Sequence, residues 1–229
     1  MSLPEPKKRH GTRLILKIDM HVHTWYSDSN GSVDDVLDVA RRKGLDGIAI
    51  TDHNTINGAL EALWKKTNLI VIPGEEVSTR RGEILALGIR KEVQPGLDIL
   101  DTIEKIHTQG GLAIVPHPAV PFFSVFKIDE LARLPIDGLE AFSSLTPYSK
   151  YFARESLEMA EKLQVGVTAG SDSHSPETVG DAYTIVNSES QSLEDILCAI
   201  KLGFTSIEGS SSRLYFKLKM VKGFLAHIL

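Results

Sequence analysis

The stretch Leu14-Ile15-Leu16-Lys17-Ile18-Asp19-Met20-His21-Val22-His23 decides the fold. Its branched apolar residues read as a buried strand ending near Met20. Two histidines one residue apart on extended backbone point to the same side, because side chains alternate faces along a strand. Paired imidazoles at a strand end, in front of a loop, can begin a metal site. An isolated His-x-His is more often structural, so its meaning depends on what ends the other apolar runs.

Outward from this strand, the loop to Gly31 is rich in Ser, Asp, Asn and Gly. Ser32-Val33-Asp34-Asp35 predicts a capping box with Asp in the N3 position. Val33, Val36, Leu37 and Ala40 form one helical face, and Gly44 stops the helix. A second strand, Gly47 to Thr51, ends in Asp52-His53-Asn54, and a short helix runs to Trp64. Leu69 to Ile72 is a third strand, ending in Pro73-Gly74-Glu75-Glu76. Further strands are expected over 83–89, 112–115, 137–142 and 165–169, with helices over 97–109, 128–134, 148–163 and 193–202. Tyr183 to Val186 and Phe204 to Ile207 are short strand candidates. Alternating strands and helices with short connections predict a parallel sheet, and about seven repeats predict a β/α barrel.

The 229 residues suffice for one domain of this kind, and 42% apolar content supports a sizeable core. Three parts are expected: a polar, basic arm over 1–13, a barrel domain over 14–209, and a basic C-terminal helix over 210–229 packed on the barrel. A net charge of -5 argues against a general nucleic-acid or anionic-membrane binder. The single cysteine, Cys198, excludes an intrachain disulfide and suits a reducing compartment. With no apolar run of membrane-spanning length and no secretory leader, the expectation is a cytoplasmic protein.

Five of the eight histidines fall at strand ends: His21, His23, His53, His117 and His174. Glu76 and Asp172 follow strands in the same way. In a barrel of parallel strands those carboxyl ends meet on one face, where active sites are built. Each piece alone has a plainer explanation. Asp52-His53 suits a capping turn, Glu75-Glu76 a solvated pair, and His117 between prolines a shaped turn. Together, imidazoles and carboxylates without thiolate suit Zn, Mn or Fe, and their number exceeds one tetrahedral ion. Two or three divalent ions, clamping the oxygens of a phosphoryl displacement, are the expected cofactor.

The ordered set Asp19-Met20-His21-Val22-His23-Thr24 with Ser27-Asp28, Thr51-Asp52-His53, Pro73-Gly74-Glu75-Glu76-Val77-Ser78, Pro116-His117-Pro118 and Gly170-Ser171-Asp172-Ser173-His174 resembles the PHP family, the polymerase and histidinol phosphatase domain. The likeness runs from about Leu14 to about Thr184. It implies a distorted β/α barrel, commonly of seven strands, that holds up to three ions at the carboxyl ends of its strands and cleaves phosphoesters. Carried over by position, the implied metal ligands are His21, His23, Asp28, His53, Glu76, His117, Asp172 and His174. The family often has a histidine after the glutamate motif. Here the place reads Arg81-Gly82-Glu83-Ile84-Leu85, so Glu83 is the expected carboxylate replacement, which favours harder ions, with a surface residue beside a weak or empty third subsite as the alternative.

Chemistry suggests further roles. His53 and His174 are candidates for proton transfer, and Asp52 for orienting an imidazole or taking a proton. Glu140 is placed to orient a ligand, and Ser143 to donate to substrate. Arg80 and Arg81 are the candidate phosphate clamp, with a solvated turn as the plainer alternative. The expected function is hydrolysis of a small phosphorylated metabolite or nucleotide by metal-activated hydroxide. An exonuclease-like hydrolase on nucleic-acid ends and a non-catalytic metal-stabilised module are the alternatives.

Overall fold

Along the first strand the apolar alternation sorts side chains to two layers. Leu16, Ile18 and Met20 join one buried cluster, while Val22 joins another. The first cluster, with Ile72, Leu85, Leu87, Ile114 and the helical residues Ile196 and Ile200, fills the space enclosed by the sheet. The second lies between the sheet and the helices around it. Fully burying one such side chain is worth about 1.5–3 kcal/mol, so the two clusters supply the main driving force for closure.

The computed structural model describes residues 13–119, 126–146, 149–213 and 215–216. In chain order the elements are β1 (Leu14–Val22), α1 (Val33–Arg42), β2 (Gly47–Ile50), α2 (Asn57–Trp64), β3 (Ile70–Ser78), β4 (Glu83–Leu87), α3 (Ile99–His107), β5 (Leu112–Val115), α4 (Ile128–Leu131), β6 (Gly138–Ser143), α5 (Ser149–Leu163), β7 (Gly166–Gly170), β8 (Ala182–Ser188), α6 (Leu193–Lys201) and β9 (Thr205–Gly209). The capping box forms as read from sequence. Ser32 Oγ accepts from Asp35 N at 3.1 Å, and Ser32 N donates to Asp35 Oδ2 at 2.9 Å. The expected arm and C-terminal helix fall largely outside the described residues. Among those described, no helix is long and apolar enough to cross a membrane.

The nine strands form one sheet in the order β7-β6-β5-β4-β3-β2-β1-β8-β9, two more than the seven expected. The sheet is also not wholly parallel. β1, β2 and β3 pair in parallel, as do β5, β6 and β7, but β4 is antiparallel to both its neighbours and β8 to both of its own. The reason is connection length. Parallel neighbours need a crossover of roughly a dozen residues or more, and only Thr79 to Gly82 separates β3 from β4.

β3 changes partner midway, pairing with β2 through Pro73 and with β4 from Gly74 onward. A Cβ on Gly74 would lie 2.8 Å from Ala86 O, so the crossing point admits only glycine. Glu76 consequently lies inside a long strand rather than after a short one. The barrel nearly closes where β7 meets β1. Ser171 N donates to Asp19 Oδ1 at 2.8 Å, Asp172 N to His21 O at 2.8 Å, and His23 N to Ser173 O at 3.0 Å. A Cβ on Gly170 would come within 2.4 Å of His21 Cβ, so this seam too depends on glycine.

Candidate metal centre

The β1–β2 register shifts between Asp19 and Val22. Such a shift re-aims the side chains that follow it. Met20 stays in the interior, Val22 turns to the helix layer, and His21 and His23 face the mouth of the barrel, both fully buried. His21 Nδ1–H donates to Glu140 Oε1 at 3.1 Å. That bond sets the tautomer and turns the Nε2 lone pair inward.

Four donor atoms then converge. His21 Nε2 lies 2.9 Å from His23 Nε2 and 3.1 Å from Glu76 Oε2, and His23 Nε2 lies 3.3 Å from the same oxygen. Asp172 Oδ1 stands 3.6 Å from His21 Nε2 and 3.4 Å from His23 Nε2. Four ligands at zinc-like bond lengths of ~2.0–2.1 Å are separated from one another by about 3.3–3.4 Å in a tetrahedron. The five separations, 2.9–3.6 Å, bracket that figure, and the set is two imidazoles with two carboxylates.

Among the described residues, two buried atoms of this donor set, Glu76 Oε1 and His23 Nδ1, lack a hydrogen-bond partner. A buried polar atom left unsatisfied costs about 1–3 kcal/mol, and a divalent cation beside Glu76 would relieve it. The donor set therefore fits the ions that the sequence pattern implies.

Further donors surround this position. His174 Nδ1–H donates to Asp172 O at 2.9 Å, which leaves Nε2 to face Asp28 Oδ2 at 3.0 Å. His53 Nε2 lies 3.6 Å from Asp28 Oδ2, while its Nδ1 lies 3.2 Å from Glu76 Oε2 and 3.6 Å from Glu83 Oε1. Three overlapping donor groups result: His21, His23 and Glu76; His53, Glu76 and Glu83; and His23, Asp28, His53 and His174. A neutral imidazole has one lone pair, so His53 serves one of its two groups at a time.

The electrostatics follow from this crowding. Burial pulls the His21 imidazole down, yet Glu76, Glu140 and Asp172 outweigh it and hold the ring well above its ordinary value. His23 is driven up to about 10 against the same burial penalty, because the protonated ring donates to the Asp172 and Glu76 carboxylates. Burial alone would raise Glu76, Asp172 and Asp28, but the facing imidazoles hold all three below the usual carboxylate range. Glu83 moves the other way, pushed up to about 8 by the charge of Glu76 and then by burial. A site of this kind attracts positive charge, and divalent ions compete with protons for the same atoms.

Other expected residues are placed differently. His117 stands outside the three donor groups, its ring stacked on His21 with centroids 6.2 Å apart and its backbone N–H on Glu140 Oε2 at 3.2 Å. Asp52 touches no imidazole through its recorded bonds. It accepts from Thr24 N at 2.6 Å, Thr24 Oγ1 at 2.7 Å and Ser27 Oγ at 2.8 Å, and so fixes the loop that carries Asp28. Arg81 is exposed and tied to Glu130 at 3.1 Å, and Arg80 is exposed on the same hairpin tip. Buried Ser143 donates to Asp172 Oδ2 at 3.4 Å, so it contacts a ligand. Sequence reasoning passed over Asp19, whose buried carboxylate accepts from Ser171 N and Gly180 N and ties β1 to the Asp172 loop. An acid two residues before the first histidine was the available signal.

A family model described as PHP-associated matches residues 151–205. An uncharacterized protein of Methanocaldococcus jannaschii is 40% identical over 142 residues, which cover 56% of this chain and 82% of that protein. Phosphoribosyl 1,2-cyclic phosphate 1,2-diphosphodiesterase of Eggerthella lenta is 34% identical over 99 residues, 39% of this chain and 37% of the relative. The fold is similar to that of a two-domain Bacteroides vulgatus protein containing a predicted PHP-like metal-dependent phosphoesterase. The TM-score is 0.73 at 19% identity, covering 87% of this chain and 66% of the other, just under two thirds.

Proposed function

The chain belongs to the PHP family, and from that premise we propose that it is a metal-dependent phosphoesterase acting on a small phosphorylated metabolite or nucleotide. The observation that carries this is the convergence of His21, His23, Glu76 and Asp172 at ligand-to-ligand separations, with Glu76 Oε1 left for a cation. Divalent ions in such a cluster supply Lewis acidity and a water that is reactive at neutral pH.

The chain's own residues supply the rest. Glu140 and the Asp172 carbonyl fix the tautomers of His21 and His174, so that each presents Nε2 to the cavity. Burial of His21, His23 and Glu76 excludes bulk water from the inner position and strengthens every charge interaction there. His53 is less buried than His21 and His23. With Nδ1 turned to Glu76, its Nε2 is the ring atom placed to exchange a proton with substrate. Asp52 holds the Asp28 loop and is a positioning residue.

Substrate size follows from charge. Among the described residues, no lysine or arginine is paired with Asp28, Glu76, Glu83 or Asp172. On this reading the attraction for phosphate comes from bound ions. A compact centre of that kind, in a chain of net charge -5, suits a small ester better than a long polyanion. The test is a panel of nucleoside monophosphates, sugar phosphates and p-nitrophenyl phosphate, assayed after chelation and again with Mn2+ or Zn2+. Hydrolysis that needs added metal is the expected result. Full turnover by metal-free protein, or none on any ester with any ion, contradicts the proposal.

A further inference from the structure

Beside the ligands, a short hydrogen-bonded chain runs into the centre, and nothing in the chemistry above uses it. Asn54 follows His53 with a left-handed backbone, φ 54°, a conformation that asparagine tolerates better than most non-glycine residues. Its backbone N–H donates to Glu76 O at 3.0 Å. Its side-chain Oδ1 accepts from Ser78 N at 2.8 Å. A backbone N–H can only donate, so this bond fixes the orientation of the amide. Nδ2 therefore donates to Ser78 Oγ at 3.0 Å, and the Ser78 hydroxyl passes its own proton to Glu83 Oε1 at 3.2 Å. Ser78 and Glu83 are directly opposite in the β3–β4 ladder. The same Glu83 oxygen stands 3.6 Å from His53 Nδ1.

Building on the metal-dependent reading above, we propose that Asn54 and Ser78 are positioning residues for the ion position formed by His53, Glu76 and Glu83. This position fills and empties separately from the one formed by His21, His23, Glu76 and Asp172. The Ser78 backbone amide fixes the Asn54 side chain, and when Glu83 is ionised to hold a cation it receives the Ser78 hydroxyl at one oxygen and keeps its remaining lone pairs for that cation. Without that donor, a partly exposed glutamate with three side-chain torsions has no recorded hydrogen bond holding it to the centre. The inner position has its own supports, Glu140 on His21 and Ser143 on Asp172. Glu76 is the only ligand the two positions share.

Equilibrium dialysis of the whole chain against Mn2+, with bound ions counted by atomic absorption, tests this. At low free Mn2+, Ser78→Ala is expected to bind one ion fewer than the unsubstituted chain. The affinity of that ion should fall about 10–100-fold, the usual effect of removing an outer-shell partner. Asn54→Gly, which accepts the positive φ and removes both side-chain bonds, should lose the same ion. Ser78→Thr keeps the hydroxyl and should restore the count. An unchanged count and affinity in Ser78→Ala overturns the proposal. Equal weakening of every ion also overturns it, because Ser78 would then be a general structural residue. An unsubstituted chain that binds no Mn2+ removes the metal-dependent reading itself and the proposal with it.

Discussion

Two histidine–carboxylate clusters occupy opposite ends of the same barrel, and they are built on different principles. At the amino ends of β5 and β6, Asp137 accepts from Ala113 N at 2.9 Å and His107 Nε2 at 2.6 Å, and pairs with Lys201 Nζ at 2.9 Å. One carboxylate meets three donors there, and the group closes on itself. At the carboxyl ends, several carboxylates face imidazoles with no lysine or arginine among the described partners, and Glu76 Oε1 has none. A structural network pairs its members with one another. The proposed metal centre instead aims its donors at a shared point.

The largest effects should separate the two ends. His21→Ala or Asp172→Ala is expected to lower turnover by about 10²–10³-fold, the scale of removing a principal electrostatic stabiliser, and to reduce metal content. Asp137→Ala should leave metal content and turnover intact while costing about 1–3 kcal/mol of stability, because the buried Ala113 N–H loses its acceptor. Metal analysis and chemical denaturation of the three proteins check this together. An Asp137→Ala protein that loses its metal would break the contrast.

A smaller effect is expected one step back from the ligands. Glu140→Gln keeps the shape of the side chain but weakens its hold on His21 Nδ1–H, and should reduce metal affinity about 10–100-fold. Titration with a competing chelator measures it, and unchanged affinity would show that Glu140 does not support the ligand.

Proton dependence sharpens the comparison further. His23 is raised to about 10 without metal, so an ion must displace protons across the neutral range. Affinity should rise from pH 6 to pH 8 with net proton release, detectable by calorimetry in buffers of different ionisation enthalpy. Binding independent of pH would contradict the crowded-carboxylate picture. The amino-end cluster carries the smallest effect. Burial opposes it, yet Lys201, the Ala113 amide and His107 together hold Asp137 below its ordinary 3.8. A carboxylate with a lowered folded pKa stabilises above its unfolded value, and that contribution is lost as pH falls through the folded value. Asp137→Asn should therefore flatten the acid limb of a stability–pH curve. An unchanged limb would remove Asp137 from the account of acid unfolding.

The centre was largely legible in the sequence because its chemistry is local to strand ends. The donor groups bring together His21, His23, Asp28, His53, Glu76, Glu83 and His174, with Asp172 beside them, while His117, expected among them, stands outside. Strand direction was less legible, since alternation of strands and helices does not report the hairpin at Thr79–Gly82. Pro73-Gly74 looks like a break but is the point where β3 exchanges one partner for another. The partners of a carboxylate are invisible in one dimension. Asp52 beside His53 suggested proton transfer, yet its bonds go to Thr24 and Ser27, which lie 28 and 25 residues away in the chain. Arg81 suggested a phosphate clamp for the same reason, and the fold gives it Glu130.

The most direct test is the anomalous diffraction of crystals of the whole chain soaked in Zn2+ or Mn2+. A strong peak about 2.0–2.2 Å from His21 Nε2, His23 Nε2, Glu76 Oε2 and Asp172 Oδ1 together is the predicted result. A fully soaked crystal with no peak there, or with its strongest peak at the His107–Asp137 pair, would contradict the assignment of the barrel mouth as the metal centre.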